Sequence, residues 1–294
     1  MNNKHISLQH NYGSKTFKYG RRSYIMGVLN VTPDSFSDGG RFHSPDAAVE
    51  HALAMFGEGA DIIDIGGEST RPGSERISAG TELTRVIPVI EKILEHKADA
   101  VLSIDTYKSQ VADEALRRGA LIVNDISALR YDEQMPGVIQ RHNATVILMH
   151  MKGDPQTMQD APSYTDVTAE VYSFLNDRAA FAEQNNIKQI IVDPGIGFGK
   201  RVQDNLELLR SLNKLNGMGH PLLVGASRKS FIGKILDVDI DLRLDGSIAA
   251  AVIGIMNGAS IVRVHDIAAT KRAVTIADAI MTGSNYQKAE TGFR

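Results

Sequence analysis

Along the chain, short and almost unbroken apolar runs alternate with longer segments in which apolar residues recur every three or four positions. The runs cover residues 24–30, 61–66, 100–105, 121–125, 145–150, 190–193, 221–225 and 261–265. Runs that are continuous rather than alternating are what strands look like when both faces of a parallel sheet are covered. Between them lie Leu83, Val86, Ile87, Ile90 and Leu94; then Val111, Ala115 and Leu116; then Val167, Val171, Phe174, Arg178 and Phe181; then Leu206, Leu209, Leu212 and Leu215. That spacing gives each segment one helical stripe. Local signals agree. Ser44-Pro45 is a hydroxyl cap followed by a proline whose missing N–H is no loss in the first turn, and Gly119 stands where a helix running from Lys108 should stop. Pro88 falls inside a helical stripe and predicts a bend. Eight strand–helix units in succession predict an α/β fold, a (β/α)8 TIM barrel, in preference to an open doubly wound sheet.

A chain of 294 residues suits one such barrel. The expected organisation is an N-terminal extension at 1–22 covering one end of the core, a barrel at 23–282 and a short tail at 283–294. Within the extension a strand is expected at 15–19; its Lys4, Lys15, Lys18, Arg21 and Arg22 read as a solvated face rather than an anion-binding arm. A net charge of −3 with no broad basic field argues against nucleic acid. Zero cysteines exclude disulfides and thiolate metal sites. The first twenty residues hold no signal-like apolar core and no apolar stretch is long enough to span a bilayer, so a cytoplasmic protein with no membrane contact is expected.

In a barrel of this kind the chemistry sits where each strand ends. Those positions are Asn30, Asp64 with the loop 66–73, Asp105, Asn124, His150, Asp193 with the loop 194–200, the segment 227–230, and Arg263 to Asp266. They divide into two groups. Thr70, Arg71, Arg263 and His265 suit an anion, because guanidinium groups match phosphate oxygens in pairs. Asn30 could offer an oxygen to a hard cation such as Mg²⁺ that travels with phosphates. Asp105, Asp193, Asn124 and Lys229 suit a flat heterocycle with an amide-like edge, since carboxylates accept, an ammonium donates and an amide does both. The competing reading for Asp105, Asn124 and Asp193 is helix capping; for Asp64 and His150 it is a supporting network within the barrel. Met149 and Met151 read as packing, and Lys200 and Arg201 as solvated. The absence of a G-x-S-x-G elbow leaves a hydrolase without support.

At these residues the sequence resembles the dihydropteroate synthase family. The segments GVLNVTPDSFSDGG, IIDIGGESTRPG, SIDTYK, IVNDIS, ILMHM, IVDPGIGFGK, LLVGASRKSFIG and IVRVHD look like that family's successive signatures, one on every strand end. The resemblance implies condensation of 6-hydroxymethyl-7,8-dihydropterin pyrophosphate with 4-aminobenzoate, pyrophosphate leaving first. It implies pterin contacts from Asp105, Asn124, Asp193 and Lys229. Pyrophosphate would lie on Asn30 with Mg²⁺ and on Thr70, Arg71, Arg263 and His265. The 4-aminobenzoate would meet Thr70, Pro72, Phe198, Lys229 and Ser230, under a loop carrying Phe36 and Asp38. The implied catalytic set is Asp38, Lys229, Arg263 and His265. Phe198 in GIGFGK implies sensitivity to sulfonamides, which mimic 4-aminobenzoate. A homodimer through C-terminal helices is also implied, with residues 247–256 apolar enough for such a face.

Two other readings stand beside this one. A methyltetrahydrofolate-dependent methyltransferase would share the Asp/Asn pocket but has no use for a pyrophosphate clamp. A non-catalytic pterin-binding relative would be expected to lose loop chemistry, yet Asp38, Arg71, Lys229 and His265 are all present.

Overall fold

A hairpin of β1 (Gln9–Tyr12) and β2 (Lys15–Lys18) precedes eight strands: β3 (Tyr24–Asn30), β4 (Ile62–Gly66), β5 (Leu102–Asp105), β6 (Ile122–Asp125), β7 (Thr145–Met149), β8 (Gln189–Asp193), β9 (Leu223–Val224) and β10 (Ile261–Val264). The structure is a computed structural model describing residues 8–32, 45–69, 74–154, 157–158 and 160–283. The eight strands lie in the order β8-β7-β6-β5-β4-β3-β10-β9, all paired in parallel. A bridge between Val192 and Leu222, with the Val192 N–H donating to the Pro221 carbonyl at 3.0 Å, brings the two edges together and closes the barrel. Each of the eight barrel strands coincides with one of the apolar runs, β8 starting one residue earlier at Gln189, as the (β/α)8 reading requires.

Alternate residues of these strands face opposite ways. One set, including Ile63, Ile65, Leu102, Ile104, Val123, Val146, Leu148, Ile190, Val192 and Val262, packs against the surrounding helices. The other set points into the barrel and changes character along its length. Its lowest members are Met26, Ile62, Val101, Ile122, Ile147, Ile191, Leu223 and Ile261, a closed apolar floor. Two residues further along the strands come Asp64, Asn124, Met149, Asp193, Gly225 and Arg263. The register pairs Asp105 with Asn124 and Met149 with Asp193, so these groups sit at similar heights. Polar chemistry thus begins where the floor ends.

The hairpin covers that floor from below. Tyr12, Phe17 and Tyr19 join the floor cluster, the Phe17 ring stacks on Tyr24 with centroids 4.1 Å apart, and Tyr24 Oη accepts from the Lys18 N–H at 2.8 Å. The expected strand at 15–19 is present as β2. Its partner β1 was not anticipated, because Gln9–Tyr12 reads as polar; alternate burial of His10 and Tyr12 makes it a strand.

Outside the barrel lie α1 (Pro45–Glu58), α2 (Ala79–His96), α3 (Ser109–Arg117), α4 (Met135–His142), α5 (Val167–Gln184), α6 (Val202–Arg210), α7 (Ser230–Leu236), α8 (Leu244–Met256) and α9 (Ile267–Thr282). Pro88 is carried inside α2, and Gly119 follows α3 at φ +105°. Ser44, the expected cap of α1, lies outside the described residues. The leucine stripe from Leu206 to Leu215 is not one helix: α6 stops at Arg210 and a 3-10 segment, Leu212–Met218, follows. Leu209, Leu212 and Leu215 are buried, whereas Leu206 is exposed and Leu208 takes the inward place in α6, so the stripe was right for three of its four members and the break at Ser211 escaped it.

Candidate active site

The inward polar residues are tied together below the mouth. Arg263 on β10 donates from Nε to Asp64 Oδ2 at 2.6 Å and from a terminal nitrogen to Asp105 Oδ2 at 2.8 Å. Asn124 on β6 donates from Nδ2 to the same Asp64 oxygen at 2.9 Å. Asp64 itself is fully enclosed, which bears out its reading as a supporting residue: its charge orients Arg263 and Asn124 rather than facing a ligand. Asn124 then has its carbonyl and its remaining N–H to offer.

Above this network lies a cleft with about 340 Å³ of empty space including its opening, bordered by Asp105, Asn124, Asp193, Lys229 and Arg263 together with apolar groups such as Ile126 and Phe198. All four residues expected to hold the heterocycle therefore meet in one place, from β5, β6, β8 and the β9–α7 loop. Met149, Ile126 and Phe198 belong to an apolar cluster that also contains Tyr107, Met151 and Met158. Flat apolar walls with a polar edge are what a bicyclic heterocycle needs. Met149 does pack, as expected, and also borders the cleft; Ile126 and Gly225 were missed, because an aliphatic residue and a glycine after strands carry no chemical signal.

Burial shapes the charges here. It pushes Asp193 up to about 6, against the pull of the Gly195 N–H, which donates to Asp193 Oδ1 at 2.7 Å, and of Lys229. Burial and then the charge of Asp64 raise Asp105, while Arg263 opposes the shift. Lys229 is brought down to about 8 by burial and by Arg263, against Asp193 and Asp105. Its Nζ lies 4.0 Å from the centre of the Phe198 ring.

The loop 194–199 that carries Phe198 alternates left-handed glycines, with φ of +67° at Gly195, +84° at Gly197 and +61° at Gly199. A Cβ on Gly195 would stand 1.9 Å from the His150 carbonyl oxygen, and one on Gly199 2.2 Å from that of Lys152, so the loop lies directly on the backbone after β7. The Lys200 that ends it was expected to be solvated. It is 3% exposed, with Nζ 2.9 Å from His150 Nδ1. The short sequence Gly-Lys after a glycine ribbon gives no hint of burial; the inward turn comes from the positive φ angles ahead of it. His150 is held neutral by burial and by Lys200, down to about 2, and serves as an acceptor in the network expected of it. Arg201 is exposed and pairs with Asp204 at 2.8 Å.

The remaining expectations divide by place. His265 stands at the mouth with Nδ1 3.0 Å from Ser227 Oγ. Ser230 opens α7 directly after Lys229 and is exposed, outside the cleft. Asn30 ends β3 with an exposed side chain; its Oδ1 and Asp105 Oδ2 both lie within 4 Å of where a Gly66 side chain would begin. Phe36, Asp38, Thr70, Arg71 and Pro72 lie outside the described residues. Glu68, just before Thr70, receives the Tyr107 hydroxyl and the Lys108 ammonium, and Lys108 reaches Glu82 at 2.6 Å, which anchors the end of the described segment to the β5–α3 connection and to α2.

Mg²⁺ prefers to keep several waters and takes one or two protein oxygens beside substrate phosphates. A single amide oxygen at the mouth, next to a carboxylate, fits that habit. Among the described residues no cluster of three His, Cys, Asp or Glu forms a cage for an ion.

A closed α/β barrel with a polar slot between apolar walls at its C-terminal mouth defines a pterin-binding enzyme, and the family described as Pterin binding enzyme matches residues 26–265. A dihydropteroate synthase from Synechocystis is 48% identical over 91% of this chain and 93% of its own length. The Yersinia pestis dihydropteroate synthase in a sulfonamide drug complex superposes with a TM-score of 0.89 at 41% identity, over 94% of this chain and 100% of that one. That of Xanthomonas albilineans, in complex with 7,8-dihydropteroate, gives 0.83 at 40% identity over 93% and 98%. The chain belongs to the dihydropteroate synthase family, transferases of folate synthesis.

Proposed function

We propose that this barrel mouth joins 6-hydroxymethyl-7,8-dihydropterin pyrophosphate to 4-aminobenzoate, and that the convergence of Asp105, Asn124, Asp193 and Lys229 on one cleft is the observation that carries the reading. The pterin edge is paired by the two carboxylates, the Asn124 amide and the Lys229 ammonium, with Ile126 and Met149 against its faces. An unpaired donor in such a slot costs about 1–3 kcal/mol, so the set selects for an aminopyrimidinone edge. The C–O bond to pyrophosphate breaks first, leaving a cationic methylene carbon; the arylamine nitrogen attacks it and loses a proton to solvent. Arg263 lies too deep and too committed to Asp64 and Asp105 to swing freely, and so presents a fixed charge; fixed charge aimed at a departing anion is commonly the largest catalytic contribution. His265 with Ser227 would take the pyrophosphate at the rim. Burial against the barrel rim and then the nearby Arg263 and Arg228 charges lower its imidazole below the ordinary histidine range, and its Nδ1 is engaged by Ser227 Oγ at 3.0 Å. Thr70 and Arg71 would complete that clamp, Asn30 would hold Mg²⁺, and the ion when bound supplies charge neutralisation of the phosphates.

The 4-aminobenzoate would lie against Phe198, Lys229 and Ser230, with Phe36 and Pro72 from the flanking loops. The sulfonamide complex of the Yersinia pestis relative supports inhibition of this chain by the same drugs. Asp38 is assigned to the methylene cation: Asp38→Ala should lose turnover while affinity for the pterin pyrophosphate holds, and unchanged turnover removes it from the mechanism. A homodimer through α7, α8 and α9 is part of the proposal; those helices expose Leu236, Ile253, Met256, Ile276, Ile280 and Met281. No helix among the described residues is long and apolar enough to cross a membrane. Formation of 7,8-dihydropteroate from the two substrates, with one pyrophosphate released per product and with competition by a sulfonamide, tests the whole reading; no 7,8-dihydropteroate from the two substrates contradicts it.

A further inference from the structure

Lys200 carries an ammonium group to a place that water barely reaches. Four acceptors surround its Nζ: His150 Nδ1 at 2.9 Å, the Gly195 carbonyl at 2.9 Å, the Phe198 carbonyl at 3.0 Å and the His150 carbonyl at 3.3 Å. Burial brings Lys200 down to about 7 against the pull of Asp193, and below that pH its ammonium, with three hydrogens, is saturated by these acceptors. Two of the acceptors belong to the loop 194–199 and two to the residue that ends the β7 run. The left-handed glycines turn the Gly195 and Phe198 carbonyls to the same side, under the loop, where they would oppose one another without a cation between them. Other bonds fix the loop's flanks: the Gly197 N–H donates to Asn205 Oδ1 at 2.7 Å, and the Tyr164 hydroxyl donates to the Gly199 carbonyl at 2.7 Å. The Phe198 backbone is held from beneath by Lys200 while its ring faces Lys229 in the cleft. Burying a charge is costly unless fully partnered, and a methionine would fill the same space without that cost.

We infer that Lys200 is a positioning residue: by gathering the carbonyls of Gly195 and Phe198 against His150, it sets the height of the Phe198 ring over Lys229 and so the fit of the 4-aminobenzoate wall. The inference rests on the reading that Phe198 borders 4-aminobenzoate. Lys200 touches no substrate, and the pterin edge is held by residues on other elements, so the two substrates should respond differently to its loss.

Lys200→Met is the first test, read as the KM of each substrate and as a sulfonamide inhibition constant. Misplacing a positioning group by a fraction of an ångström is expected to raise the KM for 4-aminobenzoate and the sulfonamide constant about tenfold, with the KM for the pterin pyrophosphate within about threefold. The chain has no cysteine, so Lys200→Cys can be alkylated at that position alone while unfolded, then refolded. Alkylation with 2-bromoethylamine restores the ammonium and should restore the KM for 4-aminobenzoate; an S-propyl form of like length should not. Equal changes in both KM values, no change in either, or a fold lost outright without the ammonium make Lys200 a plain stability residue and overturn the inference. Phe198→Ala separates the two layers of the argument. If it leaves the KM for 4-aminobenzoate unchanged, the wall itself is misassigned; if it raises that KM and the Lys200 forms do not, only the role of Lys200 falls.

Discussion

Arg263 Nε lies 2.6 Å from Asp64 Oδ2, inside the barrel and just above its apolar floor. Asp64 has no exposed side-chain surface, and Arg263, 20% exposed and also held by Asp105, keeps one carboxylate partner if Asp64 is removed. Breaking an isolated buried pair from one side costs about 3–5 kcal/mol, and with the Asp105 contact retained the loss here is expected to be about 1–3 kcal/mol. Asp64→Ala should lower the unfolding free energy by that amount in urea denaturation, and should also free the Asn124 amide that shares the same oxygen. A loss below about 1 kcal/mol would place the pair among the weak surface bridges.

The cleft should work in a pH window. Asp193 is raised to about 6 and must be ionised to accept from the pterin, while Lys229 is lowered to about 8 and must be protonated to donate. Pterin affinity is therefore expected to rise through pH 6, hold near 7 and fall through 8. Stability runs the other way on the acid side. Because the folded state keeps a proton on Asp193 that the unfolded chain releases near the ordinary aspartate value, stability falls as pH rises towards 6 and is level above it. Asp193→Asn should flatten that slope in unfolding measured across the window.

Gly195→Ala tests the seat of the Phe198 loop. Its Cβ would meet the His150 carbonyl at 1.9 Å, and the backbone there has φ +67°, so the side chain is excluded twice. A loss of roughly 2 kcal/mol or more in thermal unfolding is expected, together with weaker 4-aminobenzoate binding. Gly13, with φ +58° in the hairpin turn and open space around it, should lose less.

Much of this was legible in the sequence, and the reasons are local. A strand buried on both faces must be apolar throughout, so each run marked a strand, and the polar residue that ended it marked the mouth. Asp105, Asn124, Asp193 and Arg263 were found that way. The hairpin strand β1 was not, since its burial depends on a floor made by eight distant segments. Lys200 was misread for a related reason: side-chain chemistry says that lysine is solvated, and only the backbone path set by Gly195, Gly197 and Gly199 turns it inward. The break between α6 and the following 3-10 segment was invisible because both conformations present leucines at compatible spacing.

The apolar surface of α7, α8 and α9 supplies a separate prediction. Exposed apolar side chains on these helices are what the proposed dimer would cover. Ile253 is 49% exposed and Ile280 66%. Replacing both with glutamate should shift the protein from dimer to monomer in light scattering without lowering pterin affinity. A wild-type monomer would remove the dimer from the account.

Titration calorimetry of dihydropterin pyrophosphate into the wild type and into Asp193→Asn tests the central claim most directly. Loss of a buried, charge-assisted acceptor should weaken binding by about 10- to 100-fold while the circular dichroism and the unfolding transition stay cooperative. Equal affinities for the two forms would contradict the pterin slot at this mouth.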